Sequence, residues 1–239
     1  NQAGADLCTV ITRLETIPGL DRIRISSIEP TTVTDQLLEL MASSSKLCPY
    51  LHIPLQSGDD AILAAMNRSY SAQDYVRLIE RALHKIPNLG LGTDIMVGFP
   101  GEDETAFAHT LKLATELPFA YFHVFPFSPR PGTAAVKLAN PVSPTLVKKR
   151  TAILTGLSQA KRLAAHDRHI GITIPVLFEA GLHDGFAIGT TGHFMKIAVA
   201  SPAELTNQLH PVTITAASER WAVGHLAPEP APTTLLPML

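Results

Sequence analysis

Four polar side chains lie near the ends of predicted strands, where each could bind part of a ligand. Glu29 in SSIEP could bind an ammonium group, and Gln56 in HIPLQSG could hydrogen-bond ribose hydroxyls. Arg68 in MNRSY carries a guanidinium suited to bidentate carboxylate binding. Taken singly, each of these residues also fits an ordinary helix cap, turn or surface position.

Asp94 is the sharpest single signal, because it interrupts the apolar strand of TDIMVGFPGE. A charge buried in such a strand costs stability unless it is paired or used. Gly98 and Gly101 allow close backbone approach just beyond the strand. Parallel sheets and barrels build their sites at strand ends. Together with the three residues above, Asp94 therefore predicts a binding site.

Binding to nucleic acid would need a local basic patch, because 19 Lys and Arg face 21 Asp and Glu, a formal net charge of −2. One candidate arginine is held rigidly between two prolines, and most of the others lie on a long basic helix. Some of these helix charges are expected only to solvate the helix. The candidate contacts to RNA are Arg130, Lys148, Lys149, Arg150, Lys161, Arg162 and Lys196.

Helices and strands alternate through the first part of the chain, which predicts an α/β fold with a parallel sheet or partial barrel over residues 1–141. Too few strands are visible to close a barrel alone. Helices are predicted before residue 18 and over 34–42, 59–66, 71–86 and 102–117. Strands are predicted over 22–27, 50–55, 91–97 and 120–127.

After one long helix at 142–170, the pattern changes to short strands separated by Gly, Pro, Asp and Asn. This pattern predicts a small antiparallel β-barrel over 171–228. The last residues, 229–239, are rich in proline and are expected to pack loosely.

Cys8 and Cys48 are the only cysteines, and their spacing does not match a metal site. We interpret them as buried thiols in a reducing compartment and expect a cytoplasmic protein. No apolar run approaches the roughly 20 residues of a membrane span. The histidines show no ligand spacing, so we predict no metal site in this chain.

The motifs SSIEP, HIPLQSG, MNRSY, DIMVGFPGE and HVFPFSPRPGT, in this order, resemble the radical S-adenosylmethionine (SAM) tRNA methylthiotransferases. SSIEP and HVFPFS resemble most closely the member that acts on N6-threonylcarbamoyladenosine. The resemblance implies that Gln56 and Asp94 hold the ribose of SAM, and that Glu29 and Arg68 hold its methionine end. It also implies that the C-terminal barrel is a TRAM-like RNA-binding domain and that tRNA is the partner.

Members of that family carry an N-terminal domain, two iron–sulfur clusters and a C-x-x-x-C-x-x-C loop, and this chain has no such loop. The resemblance therefore implies a fragment of a longer enzyme. We expect the fragment to bind no iron and to be inactive alone. In the parent, a reduced cluster would cleave SAM to a radical that activates carbon 2 of the adenine, and sulfur and methyl transfer would follow.

Three alternatives stay open at this level. The parent could act on isopentenyladenosine in tRNA or on a ribosomal protein, within the same radical SAM chemistry. From a different class, the chain could be a non-catalytic RNA-binding protein on a degenerate barrel.

Overall fold

The structure is a computed structural model that describes residues 6–183, 185–201 and 205–228. The chain divides into two compact units, Asn1–Arg162 and Leu163–Leu239. The division falls inside the long helix that the sequence predicts as a link. The proline-rich segment 229–239 lies outside the described residues.

The helices of the first unit begin at polar caps. Thr34 accepts a hydrogen bond from the Leu37 N–H at 3.2 Å, and Ser71 forms a reciprocal capping box with Asp74. Each cap satisfies backbone donors that the first helical turn leaves unpaired. The helices are α1 Leu7–Glu15, α2 Asp35–Ser43, α3 Asp60–Ala65, α4 Ala72–Lys85, α5 Glu104–Glu116 and α6 Pro144–Asp167.

A parallel sheet of three strands forms the centre of this unit, in the order β1 (Tyr50–His52), β2 (Gly90–Val97) and β3 (Tyr121–Pro126). The predicted strand at 22–27 forms only isolated bridges, Ile23 with Leu47 and Ser27 with His52. The segment reaches its neighbour at its two ends, so no continuous ladder forms and that part of the prediction is wrong. The α/β class is confirmed.

The two faces of β2 differ sharply. Leu91, Ile95 and Val97 are buried in the main hydrophobic core, together with residues of the surrounding helices. Asp94 and Met96 point to the opposite face because side chains alternate along a strand, and both are only partly buried. The sheet therefore has one covered apolar face and one face on which polar groups occur.

The outer edge of the sheet is covered by α6. The Ser158 hydroxyl accepts a hydrogen bond from the Phe122 N–H at 2.9 Å and donates one to the Phe122 carbonyl at 2.7 Å. Both backbone groups of this edge residue are thus paired with one side chain.

Arg150 belongs to the same helix, and its side chain is buried, with 1% exposed. Its Nη1 atom donates to Glu102 Oε1 at 2.7 Å and to the Glu102 carbonyl at 2.9 Å. The guanidinium also lies over the Phe107 ring. This placement does not fit the predicted contact of Arg150 with RNA, because a phosphate in solvent cannot reach the guanidinium.

The second unit contains a closed barrel of five strands in the order β4-β5-β6-β8-β7. All neighbours pair antiparallel except β6 and β8, which are parallel, so the predicted all-antiparallel barrel is corrected to a mixed one. The parallel pair arises because β8 inserts between β6 and β7. The strands are β4 Thr173–His183, β5 Phe186–Thr191, β6 Lys196–Ala200, β7 Leu209–Ala217 and β8 Ala222–Leu226.

The barrel interior is filled by apolar side chains. Val176, Phe178, Ile197, Val212 and Ile214 each have 1% exposure or less. In neither unit does a helix of the described residues have the length and apolar character needed to cross a membrane.

Candidate functional site

Asp94 pairs with His52 on the face of the sheet that lies opposite the main hydrophobic core, which we call the uncovered face. His52 Nε2 lies 2.9 Å from Asp94 Oδ1, and both side chains are mostly buried. The carboxylate in the apolar strand is therefore partnered, which offsets its desolvation. The imidazole holds one carboxylate oxygen and leaves the other for a second partner.

Gln56 lies beside Asp94 through the backbone. The Gln56 N–H donates to the Asp94 carbonyl at 2.8 Å, and the Met96 N–H donates to the Gln56 carbonyl at 2.9 Å. Gln56 has a φ of 64°, a conformation that residues other than glycine rarely adopt and that concentrates at ligand sites. This backbone pairing brings Gln56 and Asp94 together, and their shared ligand site stays a prediction.

Glu29 and Arg68 form an ion pair across 39 residues of sequence. Arg68 Nη1 donates to both carboxylate oxygens of Glu29, at 2.9 and 3.1 Å. The Nε atom of Arg68 is buried and has no hydrogen-bond partner. An unpaired buried donor is costly in a native protein, so this atom is a donor that an acceptor such as a ligand carboxylate could satisfy.

Two tyrosines and a second histidine extend the polar face, and sequence reasoning missed them. Tyr50 Oη lies 2.6 Å from Tyr121 Oη and 3.1 Å from His52 Nδ1. The His123 ring lies 5.8 Å from the His52 ring, centroid to centroid. The signal that could have found them is the strand alternation, since the register places Asp94 opposite His123.

Gly92 makes the close approach of these rings possible. A Cβ atom at Gly92 would lie 2.4 Å from Tyr50 Oη and 2.8 Å from His52 Nδ1. Both distances are far below van der Waals contact, so any other residue would displace the tyrosine hydroxyl or the imidazole. The absence of a side chain at Gly92 therefore leaves the space in which Tyr50 and His52 form their hydrogen bond.

The side chains of this hydrogen-bonded network are partly removed from solvent, and this burial shifts the pKa of several of them. Burial raises the pKa of the Tyr50 phenol and of the Tyr121 phenol, so both stay protonated at neutral pH. Burial lowers the pKa of His123, while the Asp94 carboxylate acts in the opposite direction. The face therefore offers neutral hydrogen-bonding groups around one carboxylate.

The remaining basic candidates divide by their surroundings. Arg130, Lys148 and Lys149 are exposed. Lys161 donates from Nζ to the carbonyls of Thr115 and Leu117, both at 2.8 Å, and so caps the end of α5.

Two further candidates pair within their own units. The Arg162 guanidinium lies over the Tyr121 ring, 5.1 Å from its centroid. In the barrel unit, Lys196 pairs with Glu179 and is about half exposed. A phosphate could compete for Lys196 more easily than for Lys161, whose ammonium already serves two carbonyls.

The donor set for an iron–sulfur cluster is not present in this chain. A four-iron cluster takes thiolates from at least three cysteines in the predicted family, and Cys8 and Cys48 are both buried. No group of three or more His, Cys, Asp or Glu residues suited to a metal ion occurs within the described ranges. Glu29, Gln56, Arg68 and Asp94 in contrast offer two carboxylates, an amide and a guanidinium, which suit an organic ligand better than a metal ion.

Comparison with known proteins finds relatives for much of this chain. Residues 4–114 match the model of the radical SAM superfamily. The chain is 37% identical over 211 residues to the tRNA-2-methylthio-N(6)-dimethylallyladenosine synthase of Maricaulis maris (strain MCS10). This alignment covers 88% of the chain and 46% of the relative, so the chain spans less than half of that protein.

Among solved structures, the coproporphyrinogen III oxidase (HemN) from Escherichia coli, described as a radical SAM enzyme, aligns with a TM-score of 0.49 at 17% identity. That alignment covers 72% of this chain and 44% of the other. The match of residues 4–114 and the similarity to the relative from Maricaulis maris confirm the sequence resemblance at the level of a radical SAM domain and of a homologous tRNA-modifying enzyme, whereas the threonylcarbamoyl-specific member is not confirmed. Residues 4–114 are therefore a radical SAM domain, in a chain homologous to a tRNA 2-methylthio-N6-dimethylallyladenosine synthase.

Proposed function

We propose that this chain is the SAM-binding and RNA-binding part of a tRNA methylthiotransferase that acts on carbon 2 of an N6-substituted adenosine. The observation that carries the proposal is the uncovered face of the sheet, where Asp94 pairs with His52 next to the strained backbone of Gln56. A carboxylate and an amide at this place suit the two ribose hydroxyls of SAM.

The Glu29–Arg68 pair would hold the amino acid end of the same ligand. A ligand carboxylate would take the free Nε donor of Arg68, and the ligand ammonium would take the exposed Glu29 carboxylate. Charge-assisted hydrogen bonds of this type are stronger than hydrogen bonds between neutral groups. Bound SAM supplies the adenosyl and methyl groups of radical SAM chemistry, and these residues orient it.

Threonylcarbamoyladenosine is the substrate that the motifs SSIEP and HVFPFS favour. Isopentenyladenosine is the second candidate, because the relative from Maricaulis maris is named for that nucleoside. tRNA is the proposed partner in both cases, with the barrel unit and the exposed Lys148 and Lys149 as candidate contacts.

Two measurements test the proposal. Equilibrium dialysis of the 239-residue chain with radiolabelled SAM should show binding that Asp94→Asn weakens about tenfold to a hundredfold, the value of a charge-assisted hydrogen bond of roughly 1.5–3 kcal/mol. Glu116→Gln, an exposed change on α5, is the matched control. An affinity that Asp94→Asn leaves unchanged contradicts the site.

The second measurement concerns the product. Nucleosides from the tRNA of a host without methylthiotransferases, expressing the full-length protein, should gain a methylthio group on an N6-substituted adenosine by mass spectrometry. Asp94→Asn should abolish that gain. A wild-type protein that binds tRNA and yields no methylthiolated nucleoside would support the non-catalytic alternative.

A further inference from the structure

A cavity of about 1020 Å³ opens at the carboxyl ends of β2 and β3 in the first unit. Its size lies at the top of the roughly 300–1,000 Å³ range of small-molecule sites. One wall is apolar and comes from the strand ends and the following loop, with Phe127, Val136 and Leu138 among its residues. Val136 and Leu138 are exposed there at 49% and 39%, although large apolar side chains favour burial.

Helix α6 forms the opposite wall, and Gly98 allows it to come close. A Cβ atom at Gly98 would lie 2.4 Å from Val147 Cγ2, and the φ of 81° also favours glycine. Gly98, the first residue after β2 and four residues beyond Asp94, is therefore packed directly against the helix. The cavity consequently begins directly beyond the strand that carries Asp94.

The wall that α6 contributes is mixed, because Val147 and Ala152 line the cavity beside a stripe of polar residues. Lys148, Thr151, Thr155 and Gln159 all line the cavity. Their spacings of three and four residues put them on one face of a helix. The cavity thus has an apolar side and, facing it, a stripe with one ammonium, two hydroxyls and one amide.

Two of these groups lack the partners that they would normally have. A threonine inside a helix usually bonds back to the carbonyl of the preceding turn, yet Thr151 Oγ1 is a buried atom without a hydrogen-bond partner. Lys148 is exposed, and none of the ion pairs found among the described residues includes it. Lys148 is therefore accessible to a negatively charged ligand, and Thr151 carries a buried hydroxyl whose missing partner a ligand acceptor would supply.

We propose that this cavity binds the N6 substituent of the target adenosine and selects one that carries a carboxylate, the threonylcarbamoyl group. Its carboxylate would meet Lys148, its urea and hydroxyl would meet Thr151 and Thr155, and its methyl group would meet the apolar wall. An isopentenyl group is a hydrocarbon, so it would leave the polar groups of the stripe without hydrogen-bond partners. The inference rests on the proposed function, since it assumes that an N6-substituted adenosine is the substrate.

Methyl NMR of the 239-residue chain, labelled at Val and Leu, tests the assignment with two nucleosides, N6-threonylcarbamoyladenosine and N6-isopentenyladenosine. The first should shift the methyl resonances of Val136, Leu138 and Val147 and should bind more tightly than the second. Lys148→Gln and Thr151→Val should each weaken its binding roughly fivefold, the value of about 1 kcal/mol for one hydrogen bond. Neither change should alter the binding of isopentenyladenosine.

Lys149→Gln is the matched control, because Lys149 is exposed on the same helix and does not line the cavity. Unchanged melting of the variants establishes that they fold. Tighter binding of isopentenyladenosine, equal effects of Lys148→Gln and Lys149→Gln, or no shift at the three residues with either nucleoside would each overturn the assignment. If the nucleoside result holds while Asp94→Asn leaves SAM binding intact, the proposed function fails and the cavity assignment stands.

Discussion

The sheet of the first unit and the barrel of the second use β-structure in opposite ways. The barrel closes on five strands, and its interior is filled with apolar side chains such as Phe178 and Ile214. The sheet stops at three strands and leaves one face where Asp94, His52 and the two tyrosines meet. Charged groups persist where closure is incomplete, whereas a closed interior of this size has room only for packing.

The barrel side of the comparison is tested by its largest buried aromatic residue. Phe178→Ala should destabilise the barrel by about 3–5 kcal/mol, because it removes apolar contacts and leaves a cavity. Fluorescence of Trp221, the only tryptophan and a residue of this unit, follows denaturant unfolding. Leu177→Ala is the control, since Leu177 is the preceding residue on β4 and is 38% exposed. Equal losses for both changes would contradict an interior held by packing.

The sheet side is tested by its buried ion pair. Arg150→Ala should cost about 3 kcal/mol, because it leaves the Glu102 carboxylate buried without its partner. Far-UV circular dichroism reports this loss, as α1 to α5 all lie in the first unit. Lys149→Ala should stay within about 0.5 kcal/mol as an exposed neighbour.

The loss in Arg150→Ala should also depend on pH. Burial raises the pKa of Glu102, and removal of the guanidinium raises it further. A carboxyl group with a raised folded-state pKa binds a proton more readily in the folded state, so stability falls as pH rises through that range. The deficit should therefore be smaller near about pH 5 than at about pH 7. A deficit independent of pH would mean that Glu102 is rescued by another partner.

The smallest expected effect lies on the uncovered face itself. The pKa of His123 is lowered by burial, and it is raised by Asp94 and lowered by His52. Asp94→Asn should therefore lower it further, and His52→Asn should raise it, as read from the imidazole resonance by NMR. His84 on α4 serves as the internal reference. Shifts of the same sign in both variants would show that the two side chains do not act on His123 electrostatically.

The lowered pKa of His123 also has a consequence for stability. Between its folded-state pKa and the ordinary value of about 6.5, the unfolded chain binds more protons than the folded one. Stability contributed by this group is present at higher pH and is lost as pH falls through that window. Asp94→Asn should lower the folded-state pKa of His123 further, and the pH range in which this stability is lost should therefore widen.

Local signals in the sequence predicted most of the helices and the position of Asp94. Ser71 and Thr34 mark helix starts through chemistry that acts within one turn, and a charge in an apolar strand is visible without a structure. Arg68 and Glu29 form an ion pair, and their role at a ligand site stays a prediction. These features depend on short stretches or on residue types alone.

Features that depend on distant pairing were not predictable. The meeting of Tyr50 with Tyr121 depends on a register across 71 residues, and the insertion of β8 between β6 and β7 depends on barrel closure. The burial of Arg150 depends on which helix face meets α5, and a basic residue beside Lys148 and Lys149 gives no sign of it. In these three cases, long-range packing determined the structure, and the local sequence pattern did not predict it.

The hydroxyl of Ser158 has a meaning beyond the hydrogen bonds it makes. An open parallel sheet presents an unpaired strand edge, and such an edge can recruit a strand of another molecule and lead to aggregation. The barrel avoids this hazard by having no edge. In the sheet, one serine on α6 occupies both backbone groups of Phe122, so this helix keeps the edge of an unclosed sheet from pairing with a strand of another molecule.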